Sequence, residues 1–290
     1  MFLVQMTVAG LVSGAIYALM AVGLVCIYKA SHVLNFGHGH ISALAAFMSL
    51  TLLTSYGVGW PVAAVVGIFV SMALSLLTEF VVVRPFRGQR PLTIVVGTLG
   101  VALILSGLIT LEWGPYPRLY PPAITGTAFT VAGFSVAASQ ALLLVVTLVV
   151  IVAIALLFKF TRIGLSMRAG AESQTVATLL GIDLKLVSVL SWGLGGALGG
   201  LSAILIAPQV SLLPDSFGSI MVQAFMAVVL AGFTNLLGAV IGGLITGVAL
   251  NLFAGYVVSD MPHTFLLVML LVVLLIRPHG IFGKAEATRL

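Results

Sequence analysis

Residues 30–78 read ASHVLNFGHGHISALAAFMSLTLLTSYGVGWPVAAVVGIFVSMALSLLT, and none of these 49 positions is Asp, Glu, Lys or Arg. One helix crosses the hydrocarbon core with about 20 apolar residues, so this run holds two crossings, expected at 33–55 and 60–83. The same pattern repeats outward in both directions. Residues 1–28, 91–111, 119–158, 186–214, 216–259 and 261–276 also lack charged side chains. The run 216–259 is long enough for two spans, and 119–158 opens with a polar, Pro-bearing segment that leaves room for one. The nine spans are expected at about 3–28, 33–55, 60–83, 92–110, 139–158, 186–206, 218–234, 236–257 and 262–276. Composition agrees, with 61% apolar and only 7% charged residues against about 25% charged in a soluble domain. A β-barrel would read as weakly alternating decamers. The fold class is therefore an all-α polytopic membrane protein, a bundle of 8–9 transmembrane helices in one membrane-spanning domain over residues 1–290.

Residues 1–28 lack the basic start and the small-residue cleavage pattern of a signal peptide, and read as the first span. Cys26, the one cysteine, excludes a disulfide framework and reads as a small buried hydrophobe. Alternating the connections between two sides sorts the cations. Lys29, Arg84, Arg87, Arg90, Lys159, Arg162, Arg168, Lys185, Arg277, Lys284 and Arg289 fall on one side, and Arg118 alone on the other. Cytoplasmic loops carry the Lys/Arg excess, so the N-terminus is expected outside and the C-terminus in the cytoplasm. The pair 218–234 and 236–257 is joined by little more than Asn235, and two re-entrant half-helices there would leave the termini unchanged. The net charge of +5 follows from this bias and gives no sign of nucleic-acid binding, because the cations are split among short membrane-proximal segments.

A carrier coupled to protons or sodium keeps an ionisable group within the membrane. The only acid inside an expected span is Glu79, one turn from Arg84 and read as solvated or snorkelling. The chain has no GxxxxGKS/T phosphate loop, and no HExxH, CxxC or GxSxG motif, so no catalytic or metal-binding residues are assigned. A passive pore remains, or the membrane half of a pump whose motor lies on another chain.

The loop 159–185, KFTRIGLSMRAGAESQTVATLLGIDLK, bears on that choice. Gly164 reads as a break, and residues 167–181 read as a short helix ending at Gly181. Arg168 and Glu172 stand four residues apart, a spacing that supports a helix. Ala171, Thr175, Thr178 and Gly181 fall on or near one face, with Leu179, Leu180 and Ile182 packing on another.

Arg168–Glu172 (RAGAE) followed by Ala177–Ile182 (ATLLGI) resembles the coupling-helix segment of ABC importer permeases, specifically the branched-chain amino acid (LivH-type) permease family. Gly10–Leu24 (GLVSGAIYALMAVGL) resembles that family's first span, and Asn35–Gly39 (NFGHG) its NFAHG-like signature. Arg277–Gly283 (RPHGIFG) resembles its RPxGLFG ending. Gly37 departs from the usual alanine, and His40 is extra. The resemblance, spanning residues 10 to 283, implies uptake of branched-chain or related amino acids across the bacterial inner membrane by alternating access. It implies a second, related permease subunit in a heterodimer, two cytosolic ATPase subunits that hold ATP and Mg, and an external solute-binding protein. No cofactor is implied on this chain. Arg168, Glu172, Thr175, Leu179 and Gly181 would supply the ATPase contact.

Helix breaks in such bundles expose backbone groups to polar ligands, and Asn35–His40 is the best such break. Asn35 and His38 either line the path or cap a helix end at the cytoplasmic interface. His32 reads as interfacial, and His40 is unassigned. Tyr17, in the middle of the first span, needs a polar partner and is a candidate for lining the path. Gly10 and Gly14 form a close-packing pair. Gly195, Gly196, Gly199 and Gly200 form overlapping GxxxG pairs, and Gly242 belongs to a second glycine-rich run at 238–247; both are expected to be packing faces, either of which could meet a partner permease. The loop 111–138, together with the loop around Pro214 and Asp215, is a landing surface for a binding protein or an anchor, with Trp113, Tyr116 and Tyr120 suited to the aromatic belt. The competing reading is a self-sufficient channel for a neutral solute such as urea or an amide, with His38 and His40 in the pore. It predicts flux without nucleotide.

Overall fold

The computed structural model describes residues 2–131, 134–257, 261–277 and 280–281. Of the RPHGIFG ending, only Arg277, Gly280 and Ile281 fall among them; Lys284 and Arg289 lie outside the described residues.

Among the described residues, a helix lies in each of the segments expected to be apolar spans. These helices are α1 (Phe2–Ser31), α2 (His38–Thr54), α3 (Trp60–Thr78), α4 (Pro91–Trp113) and α5 (Ala138–Phe160), and, beyond two short helices, α8 (Leu184–Ile206), α9 (Ser216–Ala231), α10 (Leu236–Tyr256) and α11 (Pro262–Ile276). Among the described residues, six helices are long and apolar enough to cross a membrane, namely α1, α3 with its extension, α4, α5, α8 and α10. With 17 residues, α2 reaches about 25 Å at 1.5 Å per residue, short of the hydrocarbon thickness of about 30 Å. The 16 residues of α9 are shorter still.

The core is built on α1 and α8, whose apolar windows are largely enclosed by the other helices, while α5 lies mostly at the outside. Glycine makes this packing possible. A Cβ on Gly10 or Gly14 would collide with the backbone of α10 at Gly243–Val248, and one on Gly243 or Gly247 would collide with the backbone of α1. The register falls in α10 as it rises in α1, so this seam is antiparallel. On α8, Gly195 faces Gly23 and Ile27, Gly196 faces Ser71 and Ser75, Gly199 faces His38 and Ser42, and Gly200 faces Ser71 and Ala45. Gly242 sits on the carbonyl of Ala227 in α9. Each of these glycines is taken up by a helix of the same chain. The close approach lets Ser71 and Ser75 of α3 donate hydrogen bonds to the Gly196 and Trp192 carbonyls of α8, both at 2.7 Å. Such bonds stabilise helix pairs in lipid by about 0.6 kcal/mol each.

Several expectations require correction. Gly164 does not break the chain; it lies in the first turn of α6 (Arg162–Glu172), capped by the Thr161 hydroxyl. Its missing side chain lets α6 fold back onto Leu157 and Phe158 of α5. The single helix expected at 167–181 is instead the end of α6 followed by α7 (Gln174–Leu179). Ser173 divides them because its hydroxyl accepts from the Val176 amide at 3.3 Å and caps a new helix. Gly181 is the stop, at φ +79°. Leu179 and Leu180 do not pack inward; they are 81% and 73% exposed, while Met167, Gly170 and Ala177 make the inward contacts.

Glu79 is neither solvated nor snorkelling but fully buried. A π-helical turn over Glu79–Val83 brings Arg84 and Arg87 back over its carboxylate, at 3.2 and 2.6 Å. Ser188 of α8 donates to it at 3.1 Å. Nor is the chain wholly helical: Thr127–Val131 (β1) and Phe134–Ala137 (β2) form an antiparallel hairpin. Tyr120 is not a belt residue. It is buried, its hydroxyl lies 2.7 Å from that of Ser49, and burial raises its pKa above the ordinary phenol value.

Candidate functional site

The second span expected at 33–55 starts as a helix only at His38, and residues 33–37 are non-helical. This break lies inside the bundle, since Gly37 meets the Thr98 carbonyl of α4, and His38 meets Gly23 of α1 and Gly199 of α8. All three partners are well within their helices. Asn35 closes the break by accepting from the Gly37 amide at 3.0 Å. Asn35 and His38 are both buried, and neither ring nitrogen of His38 has a hydrogen-bond partner among the described residues. They sit in a packed junction of α1, α2, α4 and α8 and line neither of the cavities described next.

Both cavities border α9, whose sequence divides them. Ser216, Ser219, Ile220 and Gln223 recur at helical spacing on one face. With Ser13, Ile16 and Tyr17 of α1, Ile206 at the end of α8, and Gln209 and Val210 after it, they line a cavity of about 350 Å³. Its walls mix hydroxyls and carboxamides with aliphatic groups and carry no charge. Tyr17 is among its lining residues. On the opposite face, Gly218, Met221, Val222 and Phe225 line a second cavity of about 410 Å³ with Phe36, His40, Leu99, Ala102 and Leu103. Its lining is almost wholly apolar.

Asp215 stands at the N-terminus of α9, an ideal place for a carboxylate to cap the helix, yet it caps nothing. Its Oδ1 instead accepts from the Ser106 hydroxyl at 2.8 Å and pairs with His40 Nε2 at 3.2 Å. The hydrogen bonds of Ser106 and then His40 hold its pKa below the usual carboxylate value. The serine donates to the carboxylate and not to the histidine, so this is no nucleophile–base arrangement.

Gln209, Ser216, Ser219, Gln223 and the Asp215 cluster escaped sequence reading. The signal was present, since three hydroxyl or amide residues recur at i, i+3 and i+7 from Ser216 in an apolar run; a span drawn from 218 hid it.

At the opposite end of α1 from its first residue, Lys29 lies over Phe158 of α5, and α6 packs against α1, α5 and α8. Arg168, Glu172, Thr175, Leu179 and Gly181 are all exposed on this connection. The loop 111–138 lies at the other end. Arg118 pairs with Leu212 through two backbone hydrogen bonds of 3.0 and 2.9 Å, joining that loop to the segment before α9.

Comparison with known proteins bears on the family. The branched-chain amino acid permease LivH of Escherichia coli K12 is 29% identical over 304 aligned positions, covering 100% of this chain and 98% of its own. BraD of Pseudomonas aeruginosa, also named a branched-chain amino acid permease, is 30% identical, covering 98% and 97%. PsaBC from Streptococcus pneumoniae, solved in complex with Fab, gives a TM-score of 0.49 at 13% identity over 92% of this chain and 89% of that one, a likeness on which nothing here rests. The family model described as branched-chain amino acid transport system / permease component matches residues 6–276. That match covers nearly the whole helical bundle, and the chain belongs to this family.

Proposed function

We propose that this chain is one membrane-spanning subunit of an ATP-driven importer that takes up branched-chain or related amino acids by alternating access. The observation that carries the reading is the α6–α7 connection, where Val176, Leu179 and Leu180 are exposed beside Arg168 and Glu172. Exposed leucines flanked by charges suit a protein partner, and here the partner is a cytosolic ATPase subunit. Arg168, Glu172, Thr175, Leu179 and Gly181 form the contact. ATP and Mg belong to that partner, and this chain binds no cofactor.

The cation excess on the α6–α7 side supports a topology with the N-terminus outside and the C-terminus in the cytoplasm of a bacterial inner membrane. A second, related permease completes the pore as a heterodimer, and an external solute-binding protein delivers cargo at the Arg118 end. Closure of the ATPases displaces α6, which bears on α1. Because α1 carries Tyr17 into the polar cavity, that displacement changes the cavity beside α9. The uncharged polar lining favours a small solute without a fixed net charge.

The test is affinity purification of the tagged chain in mild detergent, with co-purifying proteins identified and hydrolysis measured. An ATPase and a second permease are expected, and Glu172→Ala with Leu179→Ala should leave solute uptake uncoupled from hydrolysis. Full coupled transport by that double variant would sink the assignment. Solute flux through the lone chain without nucleotide would make it a channel.

A further inference from the structure

The apolar groove between α2, α4 and α9 ends at the polar cluster of Ser106, His40 and Asp215. Leu99, Ala102, Leu103 and Ser106 lie at i, i+3, i+4 and i+7 along α4, so the wall that is aliphatic at one end becomes a hydroxyl at the other. There Ser106 and His40 fix Oδ1 of Asp215, while the Asp215 side chain is 80% exposed and Oδ2 has no hydrogen bond among the described residues. A Cβ on Gly218 would meet only the His40 ring, 3.7 Å away. His40 both lines the groove and pairs with Asp215, so the carboxylate stands at its edge.

An oriented, ionised carboxylate beside an apolar trough is complementary to a cation on a short aliphatic body. Two hydrogen bonds hold the carboxylate in place before a ligand arrives, so little ordering is needed on binding. The side chain has also forgone a helix cap, which a purely structural aspartate at this position would make. We propose that this groove binds a small aliphatic primary amine, the ammonium group meeting Asp215 Oδ2 and the carbon body lying among Leu99, Leu103, Met221, Val222 and Phe225. Ser106 and His40 act as positioning residues for the carboxylate. A branched-chain amino acid satisfies this chemistry with its α-ammonium and side chain, its own carboxylate remaining in the open mouth. The inference rests on the permease reading only in taking the ligand for cargo.

An ammonium on an aliphatic body is also what a phosphatidylethanolamine headgroup offers, and the test separates the two. The full chain is placed in phosphatidylcholine nanodiscs and titrated calorimetrically with 3-methylbutylamine, L-leucine and 4-methylpentanoate. Saturable binding is expected for the first two and none for the acid, which lacks the ammonium. Asp215→Asn should weaken binding about tenfold, the loss expected when one charge-assisted hydrogen bond goes. Ser106→Ala should weaken it a few fold without removing it, and Val222→Trp should block it by filling the trough. Unchanged affinity in Asp215→Asn, or equal binding of the acid, overturns the proposal. Displacement of the amine by phosphatidylethanolamine in an Asp215-dependent way also overturns it, since the site would then hold lipid. Loss of this binding with ATPase co-purification intact refutes the amine site and leaves the permease reading standing.

Discussion

The same substitution should have opposite effects at two glycines. A Cβ on Gly247 would fall within the backbone of α1 at Gly10 and Gly14, whereas a Cβ on Gly100 in α4 meets nothing within 4 Å. To bring the Gly247→Ala methyl to ordinary contact, near 3.4 Å, α1 and α10 must part by about 1 Å, because neither backbone can yield locally. A gap of that size forfeits a quarter to a half of the attraction of each facing atom pair. Over two turns of the seam, this gives a loss of about 2 kcal/mol, within the range of about 1–3 kcal/mol for overpacking. Gly100→Ala adds no clash and removes a flexible residue from a helix, a gain of about 0.5–1 kcal/mol. Cys26 is fully buried in α1, so a thiol-reactive fluorophore reports unfolding of this helix during a thermal ramp. At about 2–4 °C per kcal/mol for a large chain, Gly247→Ala should lower the midpoint by about 4–8 °C and Gly100→Ala should hold or raise it. Equal falls in both variants, or no fall in Gly247→Ala, would refute the packing account.

Two further outcomes are expected in the same thermal assay. Glu79→Ala leaves Arg84 and Arg87 without their counter-ion, but both guanidinium side chains are about one-third exposed and can turn to water, so the loss should be about 2 kcal/mol, below the figure for a fully buried pair. Glu79→Gln keeps a partner for Ser188 and should lose less; a lower midpoint for Gln than for Ala would contradict the geometry. The lowered pKa of Asp215 means that its contribution to stability is fully present above the unfolded-state value of about 3.9 and is lost as pH falls through the lower folded value. The midpoint difference between the parent chain and Asp215→Asn should therefore be constant near neutrality and shrink below about pH 4, and a difference that grows with acid would reverse the assignment.

The helices were legible because lipid forbids charge, and stretches such as 30–78 or 216–259 have none. Where they begin was less so. The start of α2 at His38 depends on glycines of two other helices making room for its ring, and no local pattern announces that. Gly164 reads as a break from its intrinsic preference, but tertiary contact with Phe158 makes it a tolerated helical residue. Glu79 looked solvated from its distance to Arg84 along the chain; the π-turn that buries it changes the direction of the chain, not its sequence. The β-hairpin at 127–137 lay in a segment whose prolines and glycines spoke for a loop. For the site, Tyr17 was found because a lone hydroxyl in an apolar span is conspicuous. His40, Ser106 and Asp215 come from three distant segments, and only folding brings them together.

The two faces of α9 differ by two residues, a rotation of about 200° at 3.6 residues per turn, so they look in opposite directions. Phe217 and Ala224, both fully buried, anchor the helix between them. A change at Ser219 or Gln223 therefore alters one cavity without touching the other, and a change at Val222 or Phe225 does the reverse. In a lineage of duplicated permeases, preference for polar groups and preference for hydrocarbon shape can drift separately on one short helix, each by single substitutions, while the anchor residues keep the fold constant.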